Sequence, residues 1–434
     1  MITTAFVKIW DQIVGAVAWD EQQQLASFEY AEDFIQTGWD LSPIHMPLAQ
    51  GSLIYNFPEL RPARNSEYDT FKGLPGLLAD VLPDKYGNQL INIWLAQQGR
   101  PTESMNPVEQ LCFIGSRGMG ALEFEPAQLT SRKTSYVVEV SRLVEISRRM
   151  LHERESFTTD LSADEAKATT DILKLGTSAG GARPKAVIAY NQKTGAVRSG
   201  QAQAPKGFEH YLIKLDGVSD VQLGDTQGYG RVEMAYYLMA IDCGIEMMPC
   251  QLLEENGRAH FMTKRYDRSG GKTKHHAQTW CAMQHYDFNE ITSFSYELLF
   301  QTMRALALDY LAAEQMFRRM VFNVLARNCD DHTKNFSFLL KQNQEWVLAP
   351  AYDICHAYRP DSYWVSQHAL SVNGKRKNIS RDDLLSVAKS MNIKKAPAII
   401  EDIFQKVIRW KNYAEEAKVS TKKRDAIAET LIAK

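Results

Sequence analysis

Asn328-Cys-Asp-Asp-His-Thr-Lys-Asn-Phe-Ser337 is the stretch on which the reading of this 434-residue chain turns. It directly follows residues 311–326, where apolar side chains recur at 313, 316, 317, 320, 321, 324 and 325 and predict a helix with one buried face. The chain beyond it reads as a hairpin, Phe338-Leu-Leu and then Trp346-Val-Leu. A loop held between rigid elements can position reactive groups. Asp330 and Asn335 stand in the spacing D-x-x-x-x-N, in which the Asp accepts a hydroxyl proton and the Asn reaches a metal ion during phosphoryl transfer. A further carboxylate, Asp353 in Leu-Ala-Pro-Ala-Tyr-Asp, follows the hairpin. Mg²⁺ binds through one or two such oxygen ligands plus phosphate and water, so Asn335 with Asp353 would suffice. The plainer alternative is a capped helix followed by a solvated loop.

The surrounding composition is that of a folded protein: 44% hydrophobic, 24% charged and 10% aromatic residues exclude a disordered or collagenous chain. The length predicts about three domains. No run of about 18 uncharged apolar residues occurs, and Lys8 and Asp11 interrupt the apolar N-terminus. The expectation is a soluble, cytoplasmic protein with no membrane partner. The net charge of -2 hides an asymmetry, since residues 1–130 carry 7 basic and 16 acidic side chains, and residues 371–434 carry 15 and 8. Different partners at the two ends would follow from that. The six cysteines form no C-x-x-C and read as reduced thiols.

Alternation over the first 30 residues predicts a small antiparallel sheet, and helical signals follow at 77–81, 85–98 and 137–155. Residues 185–190 and 211–215 read as strands, 232–243 as a helix closed by Gly244, and 250–254 with 259–264 as a hairpin around Asn256-Gly257. Residues 268–274 read as a basic loop, and residues 399–414 repeat apolar side chains as one helical face. The expected plan is a β-rich N-terminal subdomain (1–130), a nucleotide-binding lobe (131–274) and a helical catalytic lobe (275–434).

The middle of the chain carries a second set of candidates. Gly176-Thr-Ser-Ala-Gly-Gly-Ala-Arg-Pro-Lys185 is small and flexible, then basic, so its backbone N–H groups could approach a phosphate that Arg183 or Lys185 neutralises. It matches neither standard phosphate-loop pattern, and taken by itself it reads rather as an ordinary surface turn. Lys214 lies in the strand Tyr-Leu-Ile-Lys-Leu among apolar neighbours and needs a partner, for which Glu233 at the start of the next helix is the candidate. The alternative is that Lys214 faces solvent.

Taken together, Ser178-Ala-Gly-Gly-Ala-Arg-Pro-Lys185, His210-Tyr-Leu-Ile-Lys-Leu215, Lys264-Arg-Tyr-Asp-Arg268, Cys329-Asp-Asp-His-Thr-Lys-Asn-Phe-Ser337 and Leu348-Ala-Pro-Ala-Tyr-Asp353 resemble, in order, the signatures of the HipA family of bacterial toxin kinases. The resemblance implies an α+β, two-lobed, protein-kinase-like fold and an ATP- and Mg²⁺-dependent serine/threonine kinase. It implies Asp330 as catalytic base and Asn335 with Asp353 as metal ligands. The nucleotide contacts it implies are Gly180, Gly181, Ala182, Lys185, Lys214, Glu233, Lys264, Tyr266, His332 and Asn335. Ser178 falls at the family's autophosphorylation position. Expected partners are a HipB-type antitoxin, operator DNA through that antitoxin, and a protein substrate such as glutamate–tRNA ligase. Two departures stand out. Lys264 and Tyr266 replace the usual Glu and Phe, and Asp331 sits beside Asp330 where Gly is common, so the pair could raise each other's pKa or add a metal contact.

Imidazole is not needed for phosphoryl transfer, so His332 reads by itself as a loop hydrogen bond, and Cys329 reads as a packed thiol rather than a nucleophile. A rival enzyme would be a metal-dependent hydrolase built on Asp330, Asp331, His332 and Asp353. A rival of another class is a corepressor that acts with an antitoxin on DNA, for which Lys375-Arg376-Lys377 after a glycine turn is the candidate contact with the phosphate backbone. The alternative for that cluster is a solvated loop.

Overall fold

The computed structural model describes residues 2–50, 53–62, 69–102, 104–128, 135–152, 173, 175–176, 183–201, 203–218 and 228–432. Ser178, Gly180, Gly181 and Ala182 of the small-residue loop lie outside the described residues. The chain divides into two units, Met1–Gly230 with Gln251–Ala277 and Arg231–Cys250 with Gln278–Lys434.

The first unit opens with β1 (Thr4–Ile9), β2 (Gln12–Asp20) and β3 (Leu25–Tyr30), joined by β4 (Ile54–Tyr55) and β5 (Glu123–Glu125) in the order β4-β3-β2-β1-β5. Alternation puts Ala5, Val7 and Ile9 on the buried face, as a half-buried strand requires. Gly15 is needed where β2 meets β3, because a Cβ there would lie 2.0 Å from the Glu29 carbonyl oxygen. Helices α1 (Lys85–Gln97), α2 (Pro107–Ile114) and α3 (Val140–His152) follow.

A second antiparallel sheet has the order β7-β6-β8-β10-β9, from β6 (Lys185–Tyr190), β7 (Val197–Ser199), β8 (Glu209–Lys214), β9 (Cys250–Glu255) and β10 (Arg258–Lys264). Its inner face, with Ala186, Ile188, Ile213 and Met262, packs against Tyr86 and Leu90 of α1 and Leu143 and Val144 of α3. The β9–β10 turn places Asn256 and Gly257 at φ of 46° and 77°, the double left-handed turn that the dipeptide predicts. Residues 268–274 are not a plain loop. β11 (Arg268–Ser269) and β12 (Thr273–Lys274) pair antiparallel around Gly270-Gly271, at φ of 57° and 74°. Side-chain anchoring makes the ribbon: Trp10 Nε1 donates to the Lys274 carbonyl at 2.8 Å, and Lys274 Nζ donates to Glu123 at 2.6 Å.

β13 (His276–Thr279) carries the chain into the second unit, to which α4 (Tyr229–Asp242) belongs from Arg231 onward. Here α5 (Trp280–Gln284), α6 (Tyr296–Ala305) and α7 (Tyr310–Leu325) precede the hairpin of β14 (Ser337–Leu340) and β15 (Trp346–Leu348). Helix α7 starts where the Asp309 carboxylate accepts the Ala312 N–H at 2.8 Å, and it buries Met316, Phe317, Met320, Val321 and Val324. Four helices end the chain: α8 (Arg381–Ser390), α9 (Ala396–Val407), α10 (Trp410–Glu416) and α11 (Thr421–Ala428). The single helical face expected over 399–414 is therefore divided at Ile408-Arg409. Periodicity reports which residues face the core, and Ile403, Val407, Trp410 and Ala414 stay buried across the break. No helix among the described residues is long and apolar enough to cross a membrane.

Candidate active site

In the second unit the polar loop emerges from α7 as the sequence predicts. Its backbone is held by the neighbouring segment: Cys329 N–H donates to the Ala357 carbonyl at 3.0 Å, and Ala357 N–H donates to Arg327 at 3.1 Å. Asp330 projects from this platform with its side chain 52% exposed, and His332 Nε2 lies 3.7 Å from its Oδ1. A one-turn helix over Thr333–Asn335 brings Asn335 back, so that Asn335 Nδ2 donates to the Asp330 carbonyl at 2.6 Å. With the amide nitrogen so engaged, the amide oxygen is the atom left for a cation. Asp353 follows the hairpin at φ 54°, a left-handed backbone that Asp tolerates better than most residues. Tyr352 sets this turn, its hydroxyl donating to the Lys334 carbonyl at 2.7 Å.

Asn335 and Asp353 line one small pocket, together with Arg319, Asn323, Asn328, Asp331 and Tyr352. Two oxygen donors of this kind suit a hard cation that keeps most of its water and phosphate ligands. Behind them Arg319 is buried, donating Nη2 to the Ala349 carbonyl at 2.8 Å. Burial pushes its pKa down to about 10, with Glu246 pulling the other way.

Asp331 does not join Asp330 as a second metal carboxylate. It is 1% exposed and turned inward, accepting the Ala369 N–H on Oδ1 at 2.8 Å. Its Oδ2 accepts the Tyr296 hydroxyl at 2.8 Å and His368 Nδ1 at 3.0 Å. Burial alone would lower the His368 pKa, but the charge and hydrogen bond of Asp331 raise it to about 10. The hydrolase reading thereby loses one of its ligands. Among the described residues, no three His, Cys, Asp or Glu side chains gather as a metal set.

In the first unit, Lys185 on β6 and Lys214 on β8 are direct cross-strand partners. Lys185 is buried and Lys214 half-buried, with the Lys214 Nζ 5.8 Å from the centre of the Phe261 ring. Arg183 lies over the ring of Tyr229 at 4.0 Å. Glu233 is buried on α4 in the second unit. Lys264 pairs with Glu209, and Tyr266 is half-buried beside it.

The neighbours of Tyr266 carry a network that sequence reasoning missed. Asp267 is fully buried and accepts from Arg265 Nη2 at 2.6 Å, Arg268 Nη1 at 2.8 Å and Gly120 N–H at 2.7 Å. Burial would raise its pKa, but the two guanidiniums hold it well below the usual carboxylate range. Alternating charges in Arg-Tyr-Asp-Arg were the available signal, and they mark a structural staple.

The basic cluster is also engaged by its own fold. Arg376 donates to the carbonyls of Ala369, Thr292 and Phe294, the last at 2.9 Å, and is half-buried. Lys375 pairs with Asp383 at 2.9 Å, and Lys377 is exposed. The expectation of three cations facing a DNA backbone is corrected for Arg376, whose guanidinium points back into the protein.

A model of the HipA N-terminal domain matches residues 5–125, and one of the HipA-like C-terminal domain matches residues 177–411. A chain from the Shewanella oneidensis MR-1 complex of HipA, HipB and operator DNA superposes with a TM-score of 0.68 at 16% identity, covering 98% of this chain and 94% of that one. The Helicobacter pylori proinflammatory kinase CtkA aligns at a TM-score of 0.36 and 14% identity, over 58% of this chain and 90% of that one, too slight a likeness to bear on the fold. Among curated proteins none matches. Because the C-terminal match alone spans more than half of the sequence, and includes the loop from Asn328 to Ser337, the chain belongs to the HipA family and has its mixed α/β fold.

Proposed function

We propose that this protein is an ATP- and Mg²⁺-dependent serine/threonine protein kinase, acting in the cytoplasm as the toxin of a toxin–antitoxin pair. The observation that carries the reading is the joint placement of Asn335 and Asp353 on one pocket, with the Asn335 amide bonded to the backbone of the exposed Asp330. Family membership supports it. Asp330 would accept the proton of the attacking hydroxyl, and its exposure suits a group that must meet a protein substrate. Asn335 and Asp353 would hold the metal, and bound Mg²⁺ would supply neutralisation of phosphate charge. Lys185 and Lys214 would contact phosphate oxygens, and Ser178 would be the autophosphorylated residue. By the family resemblance the substrate is a translation enzyme such as glutamate–tRNA ligase, and the partners are a HipB-type antitoxin and, through it, operator DNA. The S. oneidensis neighbour was solved with its antitoxin and operator, which favours those partners for this chain.

The test is phosphoproteomics of cells making the wild type or Asp330→Asn, alongside transfer from labelled ATP in vitro. Asp330→Asn should lose at least about 10²-fold in transfer, the range typical of a positioned base. Asp353→Asn should instead weaken metal-dependent nucleotide binding. Near-normal transfer by Asp330→Asn would remove Asp330 from the role of base.

A further inference from the structure

Asp330 is exposed, yet a proton acceptor must be held to within a fraction of an ångström. What holds it lies beneath the loop. Asn328 Nδ2 donates to Asn323 Oδ1 at 3.0 Å, and Asn323 Nδ2 donates to the Tyr296 hydroxyl at 2.9 Å. Tyr296 in turn donates to Asp331, which also takes the bonds from His368 and the Ala369 N–H. The Cys329 thiol lies 3.8 Å from the other nitrogen of His368. Residues 328, 329 and 331 are thus each tied to this buried set, and only the side chain between them, Asp330, turns outward. The far end of the set is anchored too. Arg376 ties the Ala369 carbonyl to those of Thr292 and Phe294, just ahead of the helix that carries Tyr296.

We infer that Asp331 and His368 form a buried clamp that positions Asp330 for proton acceptance, with Arg376 as its outer buttress. The inference rests on the kinase reading of Asp330. Carboxylate and imidazole are suited to the task because Asp331 must accept three donors at once, which an amide or a hydroxyl cannot do in this geometry. Neither residue touches substrate; both act through the backbone of Asp330. An aspartate at this position is therefore a brace for the neighbouring carboxylate, and its partner lies 37 residues downstream.

The experiment uses the full chain with Asp331→Asn, His368→Leu and His368→Asn, the last placing an amide N–H near the position of Nδ1. Asp331→Asn and His368→Leu should each lower kcat by about 10²-fold, the effect of roughly 1 Å of misplacement, with nucleotide Kd nearly unchanged. The double variant Asp331→Asn/His368→Leu should be no slower than the worse single one, because the two residues act as a unit. His368→Asn should recover most of the loss. Amide exchange in the peptide spanning 328–336 should rise about ten-fold while α7 stays protected, the pattern of a local rather than global opening. A wild-type kcat in Asp331→Asn, equal losses in His368→Asn and His368→Leu, or exchange that rises equally throughout the second unit would overturn the clamp. Should Asp331→Asn fail to fold, the two His368 variants decide alone. If the wild type transfers no phosphate, the kinase reading fails, and the exchange pattern still decides whether residues 328–336 are clamped.

Discussion

A fully buried aspartate organises each unit, and the two are neutralised differently. In the first unit Asp267 meets two arginines, Arg265 and Arg268, whose remaining N–H groups reach the carbonyls of Gly118 and Gly120. In the second unit Asp331 meets one imidazole, one phenol and one backbone N–H. Two guanidiniums give rigid forked donors that fasten backbone to backbone, so the Asp267 set is a staple between the Gly118–Gly120 turn and the Arg265–Arg268 segment. The Asp331 set fastens a loop one residue away from an exposed carboxylate. The same residue type thus serves architecture in one unit and, on our reading, the aim of a reactive group in the other. A signature motif therefore does not locate chemistry by itself. In Arg265-Tyr-Asp-Arg268 the charged side chains face inward, whereas in Asp330-Asp331 one faces each way.

The largest expected effect breaks the staple. Asp267→Asn leaves two buried arginines without their counter-charge and should destabilise the protein by about 3–5 kcal/mol. Urea unfolding followed by tryptophan fluorescence would register it, and a loss under about 1 kcal/mol would mean that water compensates the arginines.

Next comes pH, which should act oppositely on the one raised histidine and the three lowered ones. The His368 pKa is raised to about 10, so its stabilisation is complete below the unfolded value of 6.5 and is lost as pH climbs towards 10. Tyr296, pushed well above its usual range by burial and by Asp331, stays neutral through that window. In the first unit, burial lowers His210, aided by Arg265 and Arg268, and His276 to about 4. The unfolded chain therefore binds extra protons between about 4 and 6.5, and stability falls as pH drops through that range. His356 in the second unit is lowered by burial to about 4 and contributes to the same acid limb. Calorimetry from pH 4 to 10 should show both limbs, and His368→Asn should flatten the alkaline one alone. An alkaline limb unchanged in His368→Asn would reassign it.

The smallest effects separate neighbours in the basic cluster. Arg376→Ala should cost about 1 kcal/mol, since of the carbonyls it serves only that of Ala369 belongs to a buried residue. Lys377→Ala should leave the melting temperature unchanged, and it should flatten the salt dependence of operator binding with antitoxin by at most about one unit in slope. An unchanged slope would make Lys377 a solvated side chain.

Much of this was legible before any coordinates. Period-2 alternation marked β1 to β3, Asn256-Gly257 marked the turn between β9 and β10, and the 3.6-residue period marked α7 and the loop beyond it. These signals are local: a turn or a buried stripe leaves its imprint within about ten residues. That Asn335 and Asp353 come together on one pocket was also legible, because a hairpin returns the chain over a short distance.

What the amino-acid order alone determined was therefore the main strands and helices and the loop that brings Asp330, Asn335 and Asp353 into one neighbourhood. Which way Asp331 faces was decided only by tertiary structure, because its partners Tyr296 and His368 lie 35 and 37 residues away with no repeating pattern between. The same holds for Arg376, which reads as a surface cation and is turned inward by the carbonyls of Thr292 and Phe294. A polar side chain is drawn inside only where the folded chain supplies its hydrogen bonds, and those come from segments that sequence separation keeps apart until folding joins them.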